Sequence, residues 1–317
     1  MKRVVSISLG SSQRNKKVHA SFFGTKFEIE RIGTDGDKQK FRQLVAELDG
    51  KVDAFGVGGT DIYVYAGNRR YVLRDSLALM SGAKQTPYVD GSGLKHTLER
   101  ETVAYLQDQG IVDFAQKRVL LVCAVDRFGM AEALASRARS IVFGDLMFNL
   151  GIPIALHSLE LAKKLGYLLL PLLVRLPIEW LYPTGEKQER NTPKYQRYFA
   201  EADVIAGDFL LIYKYMPEDL RGKIILTNTT TEANVEELKR RGVHQLITTT
   251  PVFEGRSFGT NVMEAVLVAL LGKRPEELTP EDYLSKLKAL GWTPQIRQLN
   301  PAIWSDDAAI RLCHSPH

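Results

Sequence analysis

Residues able to do chemistry gather at the ends of predicted strands, most clearly within residues 246–271. This stretch reads as a short apolar strand, a run of threonines, a loop with two glycines and a strongly apolar helix. In parallel α/β sheets ligands bind where strand ends meet helix N-termini, because free backbone N–H groups and the positive end of the helix dipole collect there. The alternative is a structural loop in which Asn261 caps the helix and Glu264 is its capping-box partner. We predict a site for an anionic or phosphate-bearing ligand, formed by Thr249, Gly255, Arg256, Ser257, Gly259, Thr260 and Asn261.

Polar side chains also follow several other predicted strands. Asp126, Asp145, Asp208 and Asn228 each come just after an apolar run, as do the threonines at 248–250. The carboxyl ends of parallel strands meet at one edge of a sheet, so we expect these side chains to line a common ligand crevice. For any one of them the alternative is a helix cap.

The first of these units has the order of a dinucleotide-binding motif. An apolar strand at 119–124 precedes a turn, a helix and a second strand that ends at Asp145, and an acid placed there binds the ribose in such motifs. The turn supplies Gly129 alone where the motif has three glycines, and Asp126 repels a pyrophosphate unless Arg127 offsets its charge. We expect NAD or NADP to contact Asp126, Arg127, Gly129 and Asp145, and we expect the loop at 255–261 to hold the anionic part of the cofactor.

An acid–base candidate lies in residues 90–96, DGSGLKH. Lys95 and His96 fall in the first turn of a predicted helix, where the dipole disfavours cations and lowers their pKa. A lysine of lowered pKa, oriented by Asp90, acts as a general acid/base on an alcohol. The alternative is a solvated lysine on an exposed helix face. Metal-ligand spacing is absent around the histidines, so no metal site is predicted.

Composition excludes several classes of protein. The chain has 317 residues and a net charge of +5, but its 42 basic and 37 acidic residues are well mixed, which argues against nucleic acid as a partner. Two cysteines do not indicate a disulfide framework. The apolar segment 166–181 contains Arg175 and Glu179 and is shorter than the roughly 20 apolar residues of a membrane span. We therefore expect a cytoplasmic protein without a membrane segment, in which 166–181 is buried or forms the interface of a homodimer.

The elements that position these residues predict an α/β protein. Residues 1–112 read as an N-terminal α/β substrate domain with two hairpins, around Gly24-Thr25 and Gly67-Asn68. Residues 113–272 repeat a strand–helix pattern, which predicts a doubly wound, Rossmann-like parallel sheet. Residues 273–317 read as a C-terminal helical tail. The fold class is thus a doubly wound parallel sheet preceded by a smaller, β-rich α/β domain.

Several strings resemble a group of bacterial proteins labelled quinate 5-dehydrogenase, which are quinate/shikimate dehydrogenase-like. They are VDAFGVGGTDIYVYAGNRRYVLRD, TPYVDGSGLKHTLERE, and ILTNTTT followed by LITTTPVFEGRSFGTNVMEA. The resemblance covers roughly residues 1–272 and implies a substrate domain, a Rossmann domain, a Lys–Asp pair acting on the substrate and NAD(P) as cofactor. The chain lacks the Asn-Val-Thr-x-Pro-x-Lys and Gly-Ala-Gly-Gly motifs of shikimate and quinate dehydrogenases, so Lys95 and Asp90 are candidates by chemistry alone.

The leading hypothesis is an NAD(P)-dependent oxidoreductase acting on a small polar alcohol or ketone in a cleft between the two domains. Lys95 is then the acid/base, Asp90 its orienting partner and Asp145 the ribose contact. One alternative is a non-redox enzyme or transferase acting on a phosphorylated or nucleotide-linked ligand. Another is a non-catalytic small-molecule binding or sensor protein. All three imply a small anionic or polar ligand.

Overall fold

A computed structural model describes residues 1–181, 191–250, 252–253, 256–257 and 259–301. It contains two α/β units, each built on a largely parallel sheet. The first sheet has the order β2-β3-β1-β4-β7, and only β2 runs antiparallel to its neighbour. Both predicted hairpins form, β2–β3 inside this sheet and β5–β6 outside it. The strands are β1 (Lys2–Ser8), β2 (Lys16–Phe22), β3 (Thr25–Gly33), β4 (Ala54–Gly58), β5 (Tyr63–Ala66), β6 (Arg69–Val72) and β7 (Tyr88–Val89).

The second sheet has the order β15-β12-β11-β10-β8-β9. Its strands from β9 to β12 are parallel, and β15 adds an antiparallel edge. This order puts the topological switch point between β8 and β10, which is where open α/β sheets bind ligands. The predicted doubly wound sheet after a smaller α/β unit is confirmed. The strands are β8 (Arg118–Leu121), β9 (Ser140–Phe143), β10 (Val204–Ala206), β11 (Ile224–Thr227), β12 (Gln245–Thr248), the pair β13 (Val252–Phe253) and β14 (Arg256–Ser257), and β15 (Gln295–Gln298).

Helices cover both sheets, and their ends follow from local sequence. Helix α9, for example, begins at a capping box in which Thr231 and Asn234 each accept a hydrogen bond from the other's backbone N–H. The helices are α1 (Lys38–Leu48), α2 (Arg74–Leu79), α3 (Ser92–Asp108), α4 (Phe128–Ala135), α5 (Leu159–Leu173), α6 (Ile178–Leu181), α7 (Gln196–Glu201), α8 (Phe209–Tyr215), α9 (Glu232–Arg240), α10 (Thr260–Leu271) and α11 (Pro280–Ala289).

Helix α10 follows the last parallel strand of the second sheet but packs against the first. Met263 and Val266 share a core with Val4 and Phe27, and α11 joins the same core. A Cβ at Gly56 of β4 would lie 3.0 Å from the Asn261 carbonyl oxygen, so glycine permits this close approach. The predicted boundaries placed α10 in the second domain. Its apolar pattern is the same whichever sheet it covers, so the sequence does not reveal this exchange.

The chain then returns to the second sheet. Strand β15, which lies within the predicted helical tail at 273–317, pairs with β12. The apolar segment 166–181 falls in α5 and α6, and Leu170 packs on the β5–β6 hairpin. Within the described residues no helix is long and apolar enough to cross a membrane. Residues 302–317, which include Cys313, lie outside the described part of the chain.

Candidate functional site

The carboxyl ends of both sheets face one cleft between the two units, with a volume of about 510 Å³. Helix α10 begins at its edge, so the second unit's strand ends, the first unit's strand ends and a helix N-terminus meet in one place. Leu165, Leu169 and Leu173 of α5 form an apolar wall. The polar lining includes Ser6, Ser8, Asp61, Asp126, Asp145, Asp208, Asn228, Thr229, Thr230, Thr260 and Asn261.

Lys95 is buried in this cleft between two carboxylates. Its Nζ donates to Asp61 Oδ1 at 3.0 Å and to Asp126 Oδ1 at 2.7 Å. Burial alone would lower the pKa of Lys95, but the charges of Asp126 and Asp61 outweigh it and raise that pKa well above its ordinary value. The prediction of a lowered pKa is wrong because it considered the helix dipole without these partners. Lys95 stays an ammonium ion and does not serve as a base at neutral pH.

Asp90 is engaged with the backbone. Its Oδ2 accepts from the N–H groups of Ile62 and Tyr63 at 2.6 and 2.8 Å, and its Oδ1 accepts from the Ser92 N–H at 2.9 Å. The prediction that it orients Lys95 is wrong, since its oxygens hold the start of β5 against the start of α3. Asp61 and Asp126 take the orienting role.

The pKa values of Asp61 and Asp126 are shifted in opposite directions, although both carboxyl groups contact Lys95. Burial and the neighbouring Asp126 raise the pKa of Asp61 well above its ordinary value. Burial also acts to raise the pKa of Asp126, but Lys95 and Arg127 outweigh it and hold that pKa below its ordinary range. Asp61 therefore takes up a proton more readily than Asp126.

Arg127 ties the first unit to the second. It is 2% exposed, contacts Glu99 of α3, and donates from Nη2 to Asp208 Oδ2 at 2.9 Å. Asp208 Oδ2 also accepts from Asn228 Nδ2 at 2.9 Å. Burial would lower the pKa of Arg127, and the carboxylates of Glu99, Asp126 and Asp208 raise it instead. The guanidinium is thus committed to protein carboxylates, and its predicted contact with a pyrophosphate is not supported.

The carboxylate of Asp145 lies against the turn after β8, which is the turn that binds phosphate in dinucleotide-binding motifs. Its Oδ1 accepts from the backbone N–H groups of Ala124 and Val125 at 2.9 and 3.1 Å, directly after β8. Burial raises the pKa of Asp145 even though these N–H groups favour its charged form. The carboxylate takes the N–H donors of this turn, and its predicted contact with a ribose stays a prediction.

The remaining predicted residues separate into two groups. Gly129 packs α4 on α3, since a Cβ there would lie 2.6 Å from the His96 carbonyl oxygen. Thr249 is buried away from the cleft, and its carbonyl accepts from Trp292 Nε1 at 3.2 Å. Gly255 lies outside the described residues, and Arg256 and Ser257 form the short strand β14.

The start of α10 does reach the cleft. Gly259 is the N-cap, without a side-chain hydrogen bond, and Thr260 and Asn261 line the cleft wall. Asn261 Nδ2 donates to Ser6 Oγ at 2.9 Å, which joins the helix start to β1. The alternative of a capping box is also wrong, because Glu264 accepts from the Tyr283 hydroxyl instead.

Sequence reasoning missed the first sheet's contribution. Ser6 and Ser8 look like ordinary strand residues, and Arg31, which donates to Ser8 Oγ at 3.1 Å, lies on the adjacent strand β3. The available signal was that β1 ends at Ser8 and β4 at Gly58, much as polar or glycine residues follow the strands of the second sheet. Among the described residues no group of three or more His, Cys, Asp or Glu side chains is arranged to hold a metal ion.

Comparison with family models identifies the chain. Residues 93–299 match the model described as Domain of unknown function (DUF8754), and residues 3–90 match Domain of unknown function (DUF8753). The first match covers more than half of the chain, which therefore belongs to the DUF8754 family. Neither description mentions quinate or shikimate. No curated protein matches the chain.

Solved structures with a similar layout include proteins that bind sugars. A galactofuranose binding protein is 10% identical, with a TM-score of 0.34 over 92% of this chain and 100% of its own. The arabinose transporter's periplasmic binding protein from Shewanella sp. ANA-3, bound to arabinofuranose, is 10% identical, with a TM-score of 0.33 over 100% of both chains. Glutamate dehydrogenase from Thermus thermophilus is 12% identical, with a TM-score of 0.40 over 91% of this chain and 73% of its own.

The prediction of an NAD(P)-dependent oxidoreductase is wrong. The similar solved structures named above include sugar-binding proteins and no quinate or shikimate dehydrogenase. The physical reason lies in the site itself. Lys95 is held as an ammonium ion by Asp61 and Asp126, and Asp145 takes the backbone donors of the turn after β8.

Proposed function

We propose that this protein is a non-catalytic binding or sensor protein, which holds a small hydroxylated ligand in the cleft between its two units. One observation carries the proposal: both cations on the cleft floor are already paired with protein carboxylates. Lys95 is paired with Asp61 and Asp126, and Arg127 with Glu99 and Asp208. A ligand therefore meets hydroxyl and amide groups beside carboxylates that are already paired.

This lining suits a neutral molecule with several hydroxyl groups. Side chains of Ser6, Thr230 and Asn261 donate to or accept from hydroxyls, and the leucines of α5 cover the apolar C–H face of such a molecule. The cleft volume of about 510 Å³ falls within the range of small-molecule sites. A ligand of this kind has the chemistry of the sugars that the galactofuranose and arabinose binding proteins hold, but the proposal rests on the cleft's own residues.

A thermal-shift screen of neutral monosaccharides and polyols tests the proposal. A ligand that binds only the folded state raises the Tm as its concentration rises. Ser6→Ala should reduce the shift, and the exposed β2 residue Ser21 provides the matched control Ser21→Ala. The proposal fails if no neutral hydroxylated compound raises the Tm at millimolar concentration.

A second candidate function is the binding of a phosphorylated ligand, and one specific observation favours it. Arg14, Lys16 and Arg31 all line the cleft at the end where Ser8 lies. A phosphate on the ligand would add charge-assisted hydrogen bonds there. If this candidate holds, a sugar phosphate raises the Tm more than the parent sugar does, and Arg31→Gln removes the difference. Equal shifts for the two compounds count against it.

A further inference from the structure

A second cavity, of about 450 Å³, lies on the other face of the β5–β6 hairpin from the cleft. Successive residues of a strand point to opposite faces, and β5 follows this rule: Val64 lines the cleft, whereas Tyr63 and Tyr65 line the second cavity. Helix α3 divides in the same way, with Lys95 in the cleft and His96 in the second cavity. The hairpin and α3 thus form a wall between two separate sites.

The second cavity is bordered by buried polar atoms that lack a hydrogen-bond partner among the described residues. They are His96 Nε2, Thr97 Oγ1 and Glu264 Oε2, and all three residues line the cavity. Thr97 is 6% exposed and Glu264 is 3% exposed. Native proteins satisfy nearly all such atoms, with protein groups, ordered water or a ligand. Three of them beside one cavity indicate that the cavity receives a polar molecule.

The existing hydrogen bonds determine what that molecule must offer. His96 Nδ1 accepts from the Gly129 N–H at 3.1 Å, so the neutral ring carries its proton on Nε2 and presents an unused donor. Burial lowers the pKa of His96 to about 3, which keeps the ring neutral. Glu264 Oε1 accepts from the Tyr283 hydroxyl at 2.8 Å, and burial raises the pKa of Glu264 to about 8. Its Oε2 therefore donates when protonated and accepts when ionised.

Aromatic side chains form a large part of the wall. Tyr63, Tyr65, Tyr88, Phe128 and Tyr283 line the cavity, and Tyr65 meets the His96 ring edge-to-face at 4.2 Å. The nearby cations are already engaged: the Arg70 guanidinium lies 4.5 Å over the Tyr63 ring, and Arg100 is paired with Glu132. Aromatic faces stack on a flat ring, so these walls suit a planar ligand. The polar atoms require hydrogen-bond donors and acceptors on the edge of that ring.

We propose that this cavity is a second ligand site, which takes a planar nitrogen heterocycle of the nucleobase class. The ring faces lie against the tyrosines, and the edge meets His96, Thr97 and Glu264. A nucleobase suits these residues because it carries both acceptors and N–H donors on one flat ring. The cleft ligand plays no part in this assignment, so the two proposals succeed or fail separately.

Adenine is the probe, titrated calorimetrically into the full chain. We expect saturable one-to-one binding, and about tenfold weaker binding of purine, which has the same ring but lacks the amine that would donate to the Thr97 hydroxyl. Thr97→Val removes the unpartnered hydroxyl at nearly constant shape. It should weaken adenine binding about fivefold without lowering the Tm, because the folded protein loses no hydrogen bond.

Matched variants keep the test decisive. Thr102→Val, on the same helix, removes a hydroxyl that donates to the Leu98 carbonyl at 2.8 Å, and should lower the Tm without changing adenine affinity. Tyr88→Ala at the cavity should weaken adenine binding about tenfold by loss of stacking, whereas Tyr71→Ala on β6 should not. Should Thr97→Val fail to fold, Tyr88→Ala carries the test. The proposal is overturned if adenine shows no saturable binding at millimolar concentration, or if Thr97→Val and Tyr88→Ala both leave its affinity unchanged.

Discussion

The ammonium of Lys95 donates to Asp126 Oδ1 at 2.7 Å, which joins α3 to the turn after β8. This contact connects the two units at the floor of the cleft, and Asp61 completes it from the other side. The same lysine looked like an acid–base catalyst in the sequence, where neither partner was apparent. Its structural partners explain both its protonation state and the rigidity expected of the cleft floor.

Removal of Lys95 should therefore destabilise the protein strongly. Lys95→Met removes the ammonium that pairs with the buried Asp61 and leaves Asp126 with Arg127 alone, and loss of one partner from a buried ion pair typically costs about 3–5 kcal/mol. Urea denaturation measures the free energy of unfolding. The double variant Lys95→Met/Asp126→Asn should recover part of the loss. A Lys95→Met protein as stable as the wild type would show that the ion pairs are not formed in solution.

Glu264 should make stability depend on pH. Its pKa is raised to about 8 in the folded protein, so the folded state binds the proton more tightly than the unfolded chain does. The stabilisation is complete below the unfolded pKa of about 4.3 and is lost as the pH rises through 8, by a few kcal/mol in order of magnitude.

Glu264→Gln keeps an acceptor for the Tyr283 hydroxyl and removes the titration. Chemical denaturation across this pH range should show a smaller fall in stability for the variant than for the wild type. Parallel curves for the two proteins would contradict a raised pKa at Glu264.

Asp145 should be a structural residue of the turn after β8. Asp145→Ala leaves two backbone N–H groups without their acceptor and should cost about 2 kcal/mol of stability, whereas Asp145→Asn retains an oxygen and should cost less. Thermal denaturation distinguishes these outcomes. NAD⁺ and NADH should leave the Tm of the wild type unchanged, and a clear shift with either would show that the turn does accept a dinucleotide.

The homodimer predicted from residues 166–181 remains a prediction. Leu168 and Leu172, one turn apart on α5, are 68% and 64% exposed. If they form a subunit interface, light scattering should give twice the monomer mass, and Leu168→Glu should restore the monomer without lowering the Tm. A monomeric wild type at high protein concentration would refute the prediction.

The convergence of strand ends was predictable, because it follows from parallel pairing alone. Asp126, Asp208 and Asn228 each follow a strand of the same sheet, so the topology brings them to one edge. The partners of Lys95 were not predictable, since Asp61 and Asp126 are 34 and 31 residues away in the chain. Only the packing of the two units brings these groups together.

The passage of α10 to the first sheet had a similar cause. The sequence of an apolar helix does not indicate which sheet the helix will cover. The close approach that permits this packing is between Gly56 and Asn261, which are far apart in the sequence. The backbone contacts of Asp145 were not predictable for a different reason. An acid after the second strand has the same position in the sequence whether it binds a ribose or the backbone of the preceding turn.

The most direct test of the central claim is to measure the binding and the fate of a cleft ligand together. The neutral sugar or polyol that raises the Tm most is titrated calorimetrically into the wild type and into Asn261→Ala, and the ligand is then examined by NMR after prolonged incubation with the protein. We predict saturable binding that Asn261→Ala weakens about fivefold, and recovery of the ligand unchanged. Conversion of the ligand, or binding that Asn261→Ala does not affect, would contradict a non-catalytic binding protein that uses this cleft.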